Sequence, residues 1–261
     1  MGAPFDISYI FNFLPKLLTT LGTTLLIVIC SLVAGVIVGF LIALPRLYKV
    51  PVLKTFSEIY ISFFRGTPIL IQLFLFYYGL PEILKLVNLD LTRAPVLVFV
   101  ILTYGLHTGA FMSEMIRASV SAVDKGQVEA AYATGMTAFQ AFTRIVLPQA
   151  LAIAVPVFSN LVIALLKDTS LAFTLGVMEL TGKAQTLGAI SQHFIETYIA
   201  LALIYLAISF TIEKLLLKAE HRLLKHEDRN SSVKKVFGIR KNISYRRIIA
   251  EMGSGKGGAS L

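Results

Sequence analysis

The 261-residue chain is 56% hydrophobic and only 15% charged, with a mean hydropathy of +0.76 and a net charge of +9. A soluble domain carries roughly 25% charged residues. The deficit falls in blocks, which excludes an ordinary water-soluble globule and points to an integral membrane protein.

Five stretches are long enough to cross a bilayer: residues 17–44, 56–80, 95–116, 147–166 and 196–217. At about 1.5 Å per helical residue each covers a hydrocarbon core of roughly 30 Å. Unpaired backbone groups are not tolerated in lipid, so the expected fold class is an all-α membrane protein with about five transmembrane helices. The first stretch is longer than a signal core of about 7–15 residues, and no small-x-small cleavage site follows it, so it is expected to be retained. It holds Cys30, the single cysteine, which rules out an intramolecular disulfide.

Within the second span, Gly66-Thr67-Pro68 removes one helical hydrogen bond at Pro68 and allows close approach at Gly66. The residues fit a kink lining a translocation path and a packing kink equally well. Arg65 fits an interfacial cation. On the third span, His107 and Glu114 stand seven apart on one face. A metal would need a further ligand, so the pair reads as a polar interhelical contact and no metal is expected. Glu114 and Arg117, near the end of this span, are suited to orienting the loop that follows.

Between the third and fourth spans lies EAAYATGMTAFQAFTRIVLPQAL, residues 129–151. Over residues 127–143, Val128, Ala131, Tyr132, Gly135, Phe139 and Phe142 recur at spacings of three and four, with Glu129 and Gln140 elsewhere. This helix is too short and polar to span. It either lies on the membrane surface or docks into a groove of another protein. Two alanines and a glycine permit close approach, Tyr132 and Phe139 offer anchors, and Pro148 suits the first turn of the next helix.

The fourth span carries Pro156, Ser159 and Asn160 before Lys167-Asp168-Thr169-Ser170, and a short apolar run over residues 171–180 follows. That run cannot span and reads as a broken or re-entrant segment. Asp168 is suited to a substrate ammonium. Thr169, Ser170 and the N–H groups of a following helix are suited to a carboxylate. The alternative is that Asp168-Thr169-Ser170 caps that helix and Lys167 snorkels to the surface.

Five spans place the termini on opposite sides. Arg46, Lys49, Lys54, Arg117, Lys125 and Arg144 fall on one side, and Lys16, Lys85, Arg93, Lys167 and Lys183 on the other. The cluster Lys214, Lys218, Arg222 and Lys225 beside the last span decides for an outer N-terminus and a cytoplasmic C-terminus. Residues 1–225 form the membrane domain, and 226–261 a basic, polar, disordered tail that attracts anionic lipid rather than nucleic acid. The tail's GSGK, residues 253–256, lacks the first glycine and the Ser/Thr of a phosphate loop, since Ala250 and Gly257 stand there.

The spacing E-A-A-x3-G-x9-I-x-L-P, from Glu129 to Pro148, resembles the cytoplasmic loop of permease subunits of bacterial ABC importers. Residues 64–72 (FRGTPILIQ), 77–81 (YYGLP), the set Ser113, Glu114, Arg117, Gly126, Gln127 and Glu129, and residues 166–171 (LKDTSL) are similar to the polar amino-acid permeases of that superfamily. The resemblance covers residues 10–225. It implies a type I importer-like fold in the bacterial cell membrane, two permease subunits, two cytoplasmic ATPases, an extracytoplasmic substrate-binding protein and an amino-acid substrate. Glu129, Ala130, Ala131, Tyr132, Gly135 and Phe139 then couple to the ATPase. Asp168, Thr169, Ser170, Asn160, Lys167, Thr67 and Gly66 are the candidate substrate contacts.

The chain reads as a transport subunit rather than an enzyme. No nucleotide motif or cofactor is expected, and one chain supplies a complete motif set for a homodimer, with a paralogous partner as the alternative. A membrane hydrolase would need a convergent catalytic constellation at depth, which the isolated His107/Glu114 and Lys167/Asp168 do not make. A secondary transporter would show internal repeats and leave the docking helix idle. Tyr60, Tyr77, Tyr78 and Tyr104 are suited to an apolar or sulfur-containing side chain, such as that of cystine.

Overall fold

The computed structural model describes residues 4–224. The chain separates into two units, Met1–Leu217 and Lys218–Leu261. The architecture below is that of the first. Of the second, residues 218–224 are described and are helical, and the tail expected over residues 226–261 lies outside the described residues.

The first helix, α1 (Ser8–Leu18), is a separate amphipathic element that the sequence reading did not foresee. Ile10, Phe13 and Leu17, at spacings of three and four, bury one face against Leu180, Ala184, Ala200, Leu201 and Ile204. The first span therefore begins after a turn at Thr19-Thr20, as α2 (Leu21–Leu47), rather than at residue 17.

Helix α2 pairs along its length with α5 (Val96–Ser121). A Cβ built at Gly39 would lie 2.4 Å from Met112 Cβ, and one at Gly109 2.8 Å from Val38 Cγ1. Only hydrogen fits at these crossings. Lipid offers no hydrophobic drive for helices to associate, so such small-residue contacts and the packing they permit hold the pair.

The second predicted span is corrected by the structure: it is a break rather than a kink. Helix α3 (Pro51–Gly66) and α4 (Ile69–Lys85) meet at 110°. Pro68 crowds the residue before it out of the helical region. Thr67 (φ −116°, ψ 145°) and Pro68 (φ −63°, ψ 137°) are both extended. Two later prolines, Pro81 and Pro148, are tolerated inside helices. Each follows a turn widened to i→i+5 bonding, residues 75–79 and 142–146 respectively.

After α6 (Lys125–Ala133), helix α7 runs continuously over Ala138–Leu175, tightening to a 3-10 helix from Thr169. Gly176, at φ +81°, ends it. Glu179 then caps α8 (Leu180–Ser191), its carboxylate accepting from the Gly182 N–H at 2.8 Å. Helix α9 (Phe194–Leu224) completes the described fold. Among the described residues four helices (α2, α5, α7 and α9) are long and apolar enough to cross a membrane, and the bent α3–α4 pair brings the number to five when it is counted as one broken span. Ile27, Val28, Leu73, Val100, Tyr104, Leu165, Leu166 and Ala172 form the core they share.

Candidate coupling and translocation sites

Residues 127–143, expected as one helix, are two helical segments joined by a turn. Asp124 starts α6 by accepting from the Gly126 N–H at 2.8 Å. The helix ends with Gly135 at φ +82°, where the Met136 N–H reaches Ala131 O at 3.1 Å and the Gly135 N–H reaches Tyr132 O at 2.9 Å. That is a helix-terminating turn requiring a left-handed residue. A Cβ at Gly135 would meet nothing within 4 Å, so within this chain the glycine serves the turn. Thr137 and Gln140 form a reciprocal capping box that starts α7. Pro148 lies, as expected, in the first turn of the α-helical stretch Leu147–Asp168, which continues α7 beyond the widened turn at residues 142–146.

The base of α6 is fixed. Val128 packs on Val123, Val146 and Ala150, and the Gln149 side-chain amide donates to Gln127 Oε1 at 2.6 Å. Ala131 is only 5% exposed, so among the expected coupling residues it supports the helix instead of presenting it. Glu129, Ala130 and Gly135 are exposed, as are Tyr132 at 51% and Phe139 at 76%. Helix α6, clamped on one face, thus offers Tyr132, an alanine and a carboxylate, and the first turn of α7 adds the ring of Phe139.

The candidate substrate residues on α7 fall into three groups. Asn160 and Lys167, seven apart, are exposed on one face of α7. Asp168 and Ser170 are half-buried, and Asp168 O accepts from Tyr104 Oη at 2.5 Å. Thr169 is fully buried and donates its hydroxyl to Leu166 O at 2.6 Å. The helix N-terminus expected after Ser170 is displaced: the chain continues helical through Leu175, and the next free N–H groups belong to α8, already capped by Glu179. The short non-spanning segment is likewise α8, not residues 171–180.

Gly66 and Thr67 sit at the α3–α4 break. Gln72, fully buried, closes it: its Nε2 reaches Phe64 O (2.9 Å), Thr67 O (3.0 Å) and Thr67 Oγ1 (2.8 Å). Its Oε1 lies 2.9 Å from His107 Nδ1. His107 is thus an interhelical contact, and the described residues hold no group of three metal-ligating side chains. Glu114 accepts from Arg46 and Arg117, tying the ends of α2 and α5 together.

Sequence reasoning passed over Gln72 and Glu179. Glu179, at zero exposure, also takes a long contact from Tyr205 Oη at 3.4 Å. A lone carboxylate between apolar runs was the signal available for it. Tyr60 and Tyr104, suggested as a side-chain pocket, spend their hydroxyls on Leu106 O and Asp168 O.

Residues 31–223 match the family described as binding-protein-dependent transport system inner membrane component. The chain belongs to this family. It is a permease subunit of an ABC importer, carried in the membrane by several apolar helices. The permease is 45% identical over 229 residues to the L-cystine transport system permease protein TcyL of Bacillus subtilis (strain 168), covering 88% of this chain and 96% of TcyL. It is 44% identical to the probable amino-acid ABC transporter permease protein PatM of Vibrio harveyi, over 85% of this chain and 97% of PatM. A crystal structure of an amino acid ABC transporter with histidines superposes with a TM-score of 0.75 at 30% identity, over 84% of this chain and all of that one. The permease therefore has the type I importer fold.

Proposed function

We propose that the permease carries a polar amino acid into the bacterial cell by alternating access, driven by ATP hydrolysis on separate subunits that dock on α6 and the start of α7. The single observation that carries this reading is the exposure of Tyr132 on α6 and of Phe139 in the first turn of α7, beside a face of α6 that is locked to α7. Exposed aromatic rings beside a small residue are anchors for a partner's pocket, and the clamped base passes the partner's movement to α7. Glu129, Ala130 and Gly135 lie on the presented surface. Two copies of the permease assemble, two ATPases act on them, and a substrate-binding protein delivers from outside. The N-terminus lies outside and the C-terminus in the cytoplasm, as the basic cluster from Lys214 to Lys225 favours.

The substrate path runs along the α7 face bearing Asn160 and Lys167, past Asp168 and Ser170, with Gly66 and Thr67 at the break opposite. Thr169 supports it from the core. The likeness to an L-cystine permease and to amino-acid permeases supports an amino-acid substrate, with cystine the first candidate. The test is uptake into proteoliposomes holding the permease, its ATPase and its binding protein, offered a panel of labelled amino acids. Uptake that requires internal ATP and saturates with one of them upholds the reading. Uptake driven by an ion gradient without ATP overturns it.

A further inference from the structure

The end of the molecule that carries α6 also holds a charged cavity that the transport reading does not use. Helix α2 closes with Arg46, the chain turns through Lys49 at φ +57°, and α3 starts at Pro51. Arg117 of α5 comes alongside. Arg46, Lys49, Lys54 and Arg117, with Pro51 and Glu58, line a cavity of about 390 Å³. Lys54 lies 3.7 Å from Glu58, and Glu114 is shared between Arg46 and Arg117. Four cations thus meet two carboxylates, leaving two positive charges in excess.

Two further features indicate a missing acceptor. The Nε–H groups of Arg46 and Arg117 are both buried and have no partner among the described residues. Burying a donor unpaired is costly, and a guanidinium already held on one edge by a carboxylate is oriented to receive an anion on another. Lys49 has no carboxylate partner among the described residues, and it is held in a left-handed conformation that non-glycine residues seldom adopt.

We propose that this cavity binds the phosphate group of an anionic lipid. A phosphate oxygen accepts from guanidinium forks and from lysine ammonium groups alike, and its charge balances the excess. The rim favours a lipid over a free anion: Tyr48, Val52, Leu53 and Phe56 are all exposed beside it. A dissolved phosphate gains nothing from four apolar side chains, whereas acyl chains lie against them. The cavity sits where α2, long and apolar enough to cross a membrane, ends and α3 begins, and the end of such a span is where lipid headgroups lie. A bound phosphate would brace the Arg46–Glu114–Arg117 set, and Arg117 stands in the last turns of α5, directly before α6. The lipid would thereby steady the support of α6 without touching the surface proposed for the ATPase.

The test is native mass spectrometry of the permease complex extracted from vesicles of phosphatidylglycerol and phosphatidylethanolamine, comparing wild type with Lys49→Ala/Lys54→Ala and Lys49→Arg/Lys54→Arg. Both lysines are solvent-facing, so neither change threatens the core. Preferential retention of phosphatidylglycerol, reduced about tenfold in the alanine variant and kept in the arginine variant, is expected, since each basic residue near a headgroup contributes substantially. A second arm titrates inorganic phosphate and follows thermal stability in neutral-lipid micelles. Stabilisation by inorganic phosphate that depends on the same lysines, with no lipid preference, keeps the phosphate site and overturns the lipid as its source. Equal lipid retention by all three proteins, with no response to phosphate, overturns the proposal.

Discussion

The Gln149 side chain donates to that of Gln127 at 2.6 Å, joining α6 to the widened turn of α7 across twenty-two residues of sequence. The same Gln149 amide reaches Ile145 O at 2.9 Å, inside the i→i+5 turn that accommodates Pro148. One side chain thus fastens the short helix to the one place where α7 is loosened, and motion of α6 has a polar route into α7 beside its apolar contacts.

Gln149→Leu tests that route. Replacing the amide by an apolar group of similar volume removes its hydrogen bonds to Gln127 Oε1 and to Ile145 O, about 1 kcal/mol each. Assembly with the ATPase should persist while substrate-stimulated hydrolysis falls about fivefold. Unchanged stimulation in the assembled complex would show that the Val128, Val146 and Ala150 packing alone transmits the movement.

Gly135 fixes a turn in open space, so substitutions there act through the backbone. Gly135→Ala should lower stability by about 1 kcal/mol, the cost of holding a Cβ in the left-handed region. Gly135→Asn should cost less, because asparagine tolerates that region. Thermal unfolding in detergent reads both. A larger loss for Asn than for Ala would mean that volume matters at this site after all.

Crossing glycines behave in the opposite way. Gly39→Val forces its side chain into Met112 and should destabilise by about 1–3 kcal/mol through overpacking. Gly22→Ala, where a Cβ meets nothing within 4 Å, should be neutral or stabilising. Equal melting temperatures for the two variants would contradict the close α2–α5 crossing.

Gln72→Leu should open the α3–α4 break. Thr67 Oγ1, the carbonyls of Phe64 and Thr67, and His107 Nδ1 would each lose a partner, at a cost of about 1–3 kcal/mol. Transport should fall while ATPase binding is kept, since the break is remote in the chain from α6. Wild-type uptake by this variant would remove the break from the translocation path.

The sequence carried the spans, the loop motif and the family, because composition and fixed spacing survive without coordinates. It could not rank the prolines. Pro68, Pro81 and Pro148 each delete one N–H, but whether the chain responds with a break or a widened turn depends on what surrounds it. Beside Thr67, a buried Gln72 makes an extended backbone affordable by bonding its carbonyls; before Pro148, the helix is clamped by Gln149 and simply widens. The motif likewise marked Gly135 and Ala131 without saying why: one supplies a positive φ and the other a buried footing, and both look like small residues for close approach in one dimension. Helix α1 was missed because its apolar face is filled by α8 and α9, partners nearly two hundred residues away. Glu179 was hidden by the apolar run around it, and its capping of α8 moved the re-entrant segment downstream of where hydropathy placed it.

The central claim is that the exposed face of α6 and the first turn of α7 receives the ATPase. The most direct measurement is retention and stimulation of co-expressed ATPase subunits by wild type, Ala130→Asp and Phe139→Asp. Both positions are exposed, so neither change should hinder insertion, and yield and monodispersity report on that independently. Charge placed in a docking pocket should cost 2 kcal/mol or more, on the order of a thirtyfold loss of ATPase retention. Variants that insert normally yet release the ATPase uphold the account. Variants that keep the ATPase and its stimulation at wild-type levels contradict it, and α6 would then be an element of the membrane surface alone.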